Sequence, residues 1–409
     1  MTYKEAIDWL YATQQFGIKL GLEQPRRLLD EFDGYPADRV KVVHVAGTNG
    51  KGSTCAMIDA LARACGLCSG LFTSPHLIDF RERVRVNGSE ISEQETARSL
   101  TELRALVSDW DHHPTFFELT LALAMRHFKQ QGCELIVLET GMGGRLDATT
   151  AVPADIAVIT PVDMDHSQWL GETLPEIAAE KAGIMVAGKP VISSGQAPEV
   201  VEVLQGHANK IHSPIEFITE PFTDCPVALP GKHQRHNASL ALAAAGHAGI
   251  APDKEKITHA LGTVYWPGRF ERCTATDLPC SLILDAAHNP QAAQALAETW
   301  QNQYKDQKAV IVFGGVKDKN TKLVLSALSP IAAHIHLTPI NSPRSLGTEE
   351  LADVVCPEIP HTIHHSITDA ISSAGQQASE SPILICGSIF LIGQVKAMLA
   401  ARELQPSSQ

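Results

Sequence analysis

Apolar runs of strand length recur along the first two-thirds of the chain, and most are followed by a stretch with helical spacing. Lys41–Ala46, Leu135–Thr140, Ile156–Thr160 and Val191–Ser193 read as strands, with a shorter one at Gly70–Phe72 expected beside the first. Phe116–Gln131, Leu174–Ile184 and Ala238–Ala248 read as the helices between them. Alternating β and α units of this kind predict a mostly parallel sheet covered on both faces. A turn signal at Trp266-Pro267-Gly268-Arg269 then interrupts the pattern, and a second series begins. Its strands are Ser281–Asp285, Ala309–Phe313, Ile335–Thr338 and Ile383–Cys386. Its helices fall near Gln291–Gln303, Lys319–Leu328, Thr348–Val355, Ile367–Ala378 and Leu391–Leu404. The polar tail Gln405–Gln409 is expected to be disordered.

One strand-to-helix junction is chemically distinctive. Val43–Thr54 reads VHVAGTNGKGST: a β-branched run, a glycine cluster holding a lysine, then a helix expected from Thr54 to Cys65. Such a junction points backbone N–H groups and the positive end of a helix dipole at an anion. The usual spacing G-x-x-x-x-G-K-[ST] is not met, because Val45 replaces its first glycine and Gly52 separates Lys51 from Ser53. A tight turn alone gives no reason for a lysine inside the cluster, so the segment reads as a phosphate-binding loop. The expected fold is therefore α/β. A P-loop-type, phosphate-binding domain on a mostly parallel sheet is expected over residues 1–268, and a smaller C-terminal doubly wound, Rossmann-like domain over 269–409.

Composition narrows the partners. A 409-residue chain with 44% hydrophobic and 19% charged residues is expected to form a globular protein of at least two domains. Its net charge of −13 argues against a nucleic-acid or anionic membrane surface. No apolar run reaches membrane-spanning length, and the N-terminal stretch carries acids, unlike a secretory signal. The expectation is a cytoplasmic protein acting on small molecules, and a monomer, since closure of two domains over a site needs no partner chain. Nine cysteines follow no framework spacing; Cys65-Gly66-Leu67-Cys68 has redox spacing but ends a helix instead of starting one, and reads as small buried thiols. The histidines at 112–113 and 361–365 read as solvated loop residues.

Further polar groups end strands. Ser74, in Thr73-Ser74-Pro75-His76, follows a short strand and is a candidate Mg²⁺ ligand, against the alternative of a Ser-Pro turn. Glu139 closes the buried run ELIVLE and is costly to desolvate unless it meets a cation; Arg145 and Asp147 are expected to project from the glycine loop after it. Asp163-Met164-Asp165-His166 ends a third strand. Glu180-Lys181 reads most simply as a solvated helical face. Asp285 and His288 close the first strand of the second series, and Arg269 sits between the two series, so all three are placed to reach across a cleft.

These motifs, in order, resemble the Mur-type ATP-dependent amide ligases, and within them the folylpolyglutamate synthase family, its bifunctional bacterial members above all. The residues carrying the resemblance are GTNGKGST (47–54), TSPHL (73–77), ERVRVNG (82–88), TFFE (115–118) and ETGMGGRLDAT (139–149). DHSQWLG (165–171), EKAGI (180–184), PGRFE (267–271), LDAAHNP (284–290) and CGSIF (386–390) complete the set. The resemblance implies that ATP phosphorylates a carboxylate and that the amine of L-glutamate attacks the acyl phosphate, releasing ADP and phosphate. The acids would be dihydropteroate and reduced folates. It implies that Gly50, Lys51, Gly52 and Ser53 hold the triphosphate and that Asn237, Arg269 and Asp285 contact ATP. Ser74, Glu139 and His166 would bind Mg²⁺, expected as two ions, with a monovalent cation left open. Lys181 would be an N6-carboxylysine, whose anion suits a site beside Mg²⁺ where an ammonium would not. Lys51, Lys181, Asp285 and His288 are the implied catalytic residues. Thr115, Phe116, Phe117, Glu118, Leu146, Asp147 and Ala148 would hold the pterin, and Arg83, His288 and Ser388 the incoming glutamate. The segment Lys19–Glu23 and the DHSQWLG run favour the bifunctional subgroup. Asp79 departs from the pattern, which places a basic residue there. Two rivals are a cell-wall precursor ligase and an ATP-binding switch without ligase activity; SPHL and ETGMGGRLDAT oppose the first, and the charged strand ends oppose the second.

Overall fold

A computed structural model of the chain describes residues 1–17, 21–274, 280–317, 319–378 and 381–405. Two sheets organise them. The larger has eight strands, in spatial order Ser89–Glu90, Val84–Val86, Ser69–Phe72, Leu135–Glu139, Lys41–Ala46, Ile156–Ile159, Val191–Ser194 and Ile215–Ile218. From Ser69–Phe72 onward every neighbouring pair is parallel; the Val84–Val86 and Ser89–Glu90 strands add an antiparallel edge. The Ser69–Phe72 strand therefore does not lie beside the loop strand, as the sequence suggested, because Leu135–Glu139 comes between them. That order places Glu139 in register with Val45, directly next to the phosphate loop.

The second sheet has six strands, ordered His361–Ile363, Ala332–Leu337, Ala309–Phe313, Ile383–Cys386, Ser281–Leu284 and Glu271–Thr274, with only the last antiparallel to its neighbour. Central strands of both sheets are buried along nearly their whole length, which is why they appear in the sequence as unbroken apolar runs.

Several elements differ from expectation. The helix after the phosphate loop starts at Lys51, so Lys51, Gly52 and Ser53 form its first turn. The helix expected from Ala238 begins at Lys232, which puts Asn237 inside it. His361–Ile363 is an edge strand, and His364 bonds the buried His336 (Nδ1···Nε2 2.9 Å), so this histidine run is not simply solvated loop. Gln405 is held by hydrogen bonds to residues 76–80; positions 406–409 of the expected disordered tail, and Lys19 and Leu20 of the subgroup segment, lie outside the described residues. Cys65 and Cys68 are half-buried, and Cys68 Sγ faces Cys133 Sγ (3.9 Å).

Candidate active site

The phosphate loop is shaped by close approach. Gly47 packs against Thr160 so tightly that a Cβ would fall 1.8 Å from its hydroxyl, and Gly50, the helix N-cap, holds a left-handed φ of +90°. Lys51 curls back over the loop, its Nζ donating to Gly47 O (3.2 Å) and Thr48 O (3.3 Å). Lys181 reaches the same carbonyl from the other side, with Nζ 2.8 Å from Gly47 O, and is almost wholly buried. It is no solvated helical face. Burial first, and the Lys51 charge second, push its ammonium down to about 7, so much of the amine is neutral near physiological pH.

Beside the loop, Glu139 is buried and accepts a hydrogen bond from the Ser74 amide (3.1 Å). Burial raises its pKa, while the Lys51 ammonium pulls the other way. The Ser74 hydroxyl is buried and has no hydrogen-bond partner among the described residues. His166 sits at a left-handed φ of +52°, and burial followed by the Lys319 charge brings its pKa down to about 4, leaving a neutral imidazole. Among the described residues no three His, Cys, Asp or Glu side chains converge as a metal cage. Mg²⁺ seldom uses one; it takes one or two protein oxygens and completes its shell with water and phosphate oxygens. An orphaned buried hydroxyl beside a buried carboxylate fits that habit.

The second sheet supplies the opposite wall. Asp285 accepts from the amides of Phe270 (2.8 Å) and Ala287 (2.9 Å); burial raises its pKa and the nearby Arg269 opposes that rise. His288 Nδ1 donates to Ala286 O (2.8 Å), and its Nε2 lies 3.8 Å from Asp165. Asp165 also pairs with Lys319; burial alone would raise this carboxyl, but the nearby His288 imidazole and the Lys319 charge outweigh it and hold the acid well below the usual carboxylate range. The Asn49 and Asn289 carboxamides exchange hydrogen bonds of 3.2 and 2.9 Å, and Asn49 Nδ2 also reaches Gln291 Oε1 (2.6 Å). The loop is thereby tied directly to the second domain.

Between these walls lies a cleft of about 400 Å³. Of the residues singled out in the sequence, Gly50, Lys51, Gly52, Ser53, Ser74, Glu139, Asp165, His166, Lys181, Asn237, Arg269, Asp285, His288 and Ser388 line it. The rest do not. Thr115 and Glu118 form a capping box at the start of the helix Phe116–Gln130: the Thr115 amide donates to Glu118 Oε2 (2.6 Å), and the Glu118 amide to Thr115 Oγ1 (3.3 Å). Asp147 turns inward instead of projecting, accepting from the amides of Met142 (2.9 Å) and Thr149 (3.0 Å) and from the Thr149 hydroxyl (2.5 Å). Ala148 is buried and Leu146 half-buried behind it. Phe116 packs on Tyr11 and Phe80, and Phe117 on Phe72 and Gly141, behind the Glu139 rim. Arg83 is buried beside His76 and is absent from the cleft wall.

Asn49, Lys319, Arg344 and Gln291 also line the cleft and were not singled out in the sequence. Lys319 follows Gly314-Gly315 at the end of a buried strand, the same signal that drew attention to Glu139 and its glycines.

The Mur ligase middle domain family matches residues 45–192, and the Mur ligase glutamate ligase domain family matches residues 268–389. The Bacillus subtilis dihydrofolate synthase/folylpolyglutamate synthase is 32% identical, over 97% of this chain and 99% of that protein. The structure of E. coli FolC in complex with DHPP and ADP superposes with a TM-score of 0.87 at 30% identity, covering 97% of this chain and 98% of that one. A bifunctional folylpolyglutamate synthase/dihydrofolate synthase from Yersinia pestis, complexed with AMPPNP and Mn ion, gives 0.87 at 30% identity, covering 98% of both chains.

Proposed function

The chain belongs to the Mur ligase family, in its dihydrofolate synthase/folylpolyglutamate synthase branch, and on that premise we propose how its cleft works. It is an ATP-dependent ligase that joins L-glutamate to a pterin acid, with dihydropteroate and reduced folates as the acids, through an acyl phosphate. The observation that carries the assignment of roles is the pairing of walls. Lys51, Ser74 and Glu139 face Arg269, Asp285 and His288 across one cleft. We place the boundary between the ATP- and pterin-binding domain and the glutamate-ligase domain at residue 268.

ATP is held with its phosphates on Gly50–Ser53. Lys51, now resting on two loop carbonyls, exchanges them for phosphate oxygens and offsets charge as the terminal phosphoryl group moves to the acid. Asn237, Arg269 and Asp285 hold the rest of the nucleotide. Ser74, Glu139 and His166 would hold Mg²⁺, which neutralises phosphate charge when bound; a second ion would use the anion of carbamylated Lys181. A neutral, buried amine attacks CO₂ and loses a proton to give that carbamate, and a pKa of about 7 makes such an amine available. His288 and Ser388 meet the incoming glutamate; the Asn49–Asn289 clasp and the Asp165–Lys319 pair keep the walls together, so water is excluded from the acyl phosphate. Arg83, Thr115, Glu118 and the Leu146–Ala148 segment lie one layer behind, so their influence on the acid passes through the aromatic wall of Phe116 and Phe117.

We take the enzyme as a monomer acting on small molecules in the cytoplasm. The nine unpaired cysteines suit a reducing compartment, and no described helix is long and apolar enough to cross a membrane. The test supplies ATP, Mg²⁺ and glutamate with dihydropteroate, tetrahydrofolate or a nucleotide-sugar acid in turn. ADP and phosphate appearing with both pterin acids supports the bifunctional reading. Turnover with tetrahydrofolate alone reduces it to chain extension, and AMP with pyrophosphate ends the acyl-phosphate route.

A further inference from the structure

After Ser74 a loop leaves the first domain, sinks into the second at Leu77 and Ile78, and returns to the first-domain core at Phe80. Leu77 and Ile78 belong to the apolar cluster of Leu282, Leu284, Ile392 and Val395, and a Cβ on Gly393 would lie 2.3 Å from Leu77 O. Past the helix Ile389–Leu399 the chain folds back over this loop. Leu404 joins the same cluster. The Gln405 amide donates to Ile78 O (2.8 Å), its Oε1 accepts from the Phe80 amide (2.8 Å), and its Nε2 donates to the Tyr3 hydroxyl (3.3 Å). Arg402 Nη2 meets Asp79 Oδ2 at 3.0 Å. Asp79, an acid where the family resemblance expects a base, is the anchor for that arginine.

A chain of contacts leads from this strap towards the pterin side. Gln405 O lies 3.1 Å from His76 Nε2, and His76 is 1% exposed. Arg83 Nε, which can only donate, is 2.8 Å from His76 Nδ1, so Nδ1 accepts and the ring's one N–H is on Nε2. That N–H is shared by Gln405 O and the Tyr11 hydroxyl (3.2 Å). Arg83, also 1% exposed, lays its guanidinium 5.1 Å from the centre of the Phe116 ring. We propose that Arg402–Gln405 is a positioning element for the acid substrate, with Gln405 fixing the His76 ring and His76 fixing Arg83 against the Phe116 wall. The inference rests on the reading that this wall serves the pterin acid. It assigns a role in acid affinity to residues that touch neither ATP nor the phosphate loop.

Two variants test it: a chain ending at Leu404, and Gln405→Ala, which keeps the backbone carbonyl facing His76. Amide hydrogen exchange, read without substrate, should show the Phe80 amide exchanging at least about tenfold faster in both, because each loses its acceptor. In the shortened chain the KM for the pterin acid should rise about tenfold, the effect of one or two lost hydrogen bonds to buried polar groups. Gln405→Ala should raise it less. The KM for ATP and kcat should stay within about twofold in both. Unchanged Phe80 exchange refutes the strap itself. Faster exchange with an unchanged acid KM, or an equal rise in the KM for ATP, refutes its positioning role. Turnover of pterin acids by the full-length protein judges the functional reading separately from either result.

Discussion

Glu139 and Asp147 stand at the two ends of one loop, both buried, both with pKa values raised first by burial, and they meet that burial in different ways. Asp147 is opposed by local hydrogen bonds: three donors from Met142 and Thr149 occupy its oxygens and knit the loop. Glu139 is opposed chiefly by the charge of Lys51, and it also accepts a hydrogen bond from the Ser74 amide. The first arrangement uses up the carboxylate. The second leaves lone pairs for a cation, next to a hydroxyl that has no partner among the described residues. Within this loop, the buried acid offset by a cation through space is the one that lines the cleft, and the one enclosed by hydrogen bonds from its own loop belongs to the scaffold.

Substitutions should separate the two walls. The largest effect is expected at Lys51. Lys51→Ala should cost on the order of 10²–10³ or more in kcat with an unchanged melting temperature, by analogy with a lost transition-state donor; near-normal turnover would remove the lysine from the mechanism. Glu139→Gln should lower kcat about 100-fold, yet leave stability equal or higher, because it removes a buried charge. Asp147→Asn should do the reverse, losing about 1–3 kcal/mol of stability, as expected when buried donors lose a charged partner. If both variants lose activity without unfolding, the contrast between the walls is wrong.

Lys181 sharpens the picture with a smaller effect. Carbamate formation needs the neutral amine, whose fraction falls as pH drops below its pKa of about 7. Activity in CO₂-depleted buffer should therefore decline below that pH, recover in part with added bicarbonate, and be partly rescued by acetate in Lys181→Ala. A ¹³CO₂-labelled sample giving no carbamate resonance by NMR would contradict the modification.

Central strands were legible because burial on both faces writes them as apolar runs; Lys41–Ala46, Ala309–Phe313 and Ile383–Cys386 match to the residue. Edge strands such as Glu271–Thr274 and His361–Ile363 were not, since exposure admits polar side chains at alternate or all positions. Strand order was misread at Ser69–Phe72 because nothing local records which later strand will insert beside it. At the site, strand-end chemistry exposed Glu139, Asp285 and the phosphate loop. Thr115-x-x-Glu118 carried a legible capping-box signature that its place in a family motif obscured. Lys319 meets Asp165 only because two domains face each other, a proximity that no local pattern encodes.

The central claim is that both walls assemble to move the terminal phosphoryl group of ATP onto a carboxylate. The most direct measurement places ¹⁸O in the carboxylate of dihydropteroate, supplies ATP and glutamate, and follows the label by mass spectrometry. One labelled oxygen per amide bond formed should appear in inorganic phosphate. Phosphate released without label during turnover would contradict the mechanism.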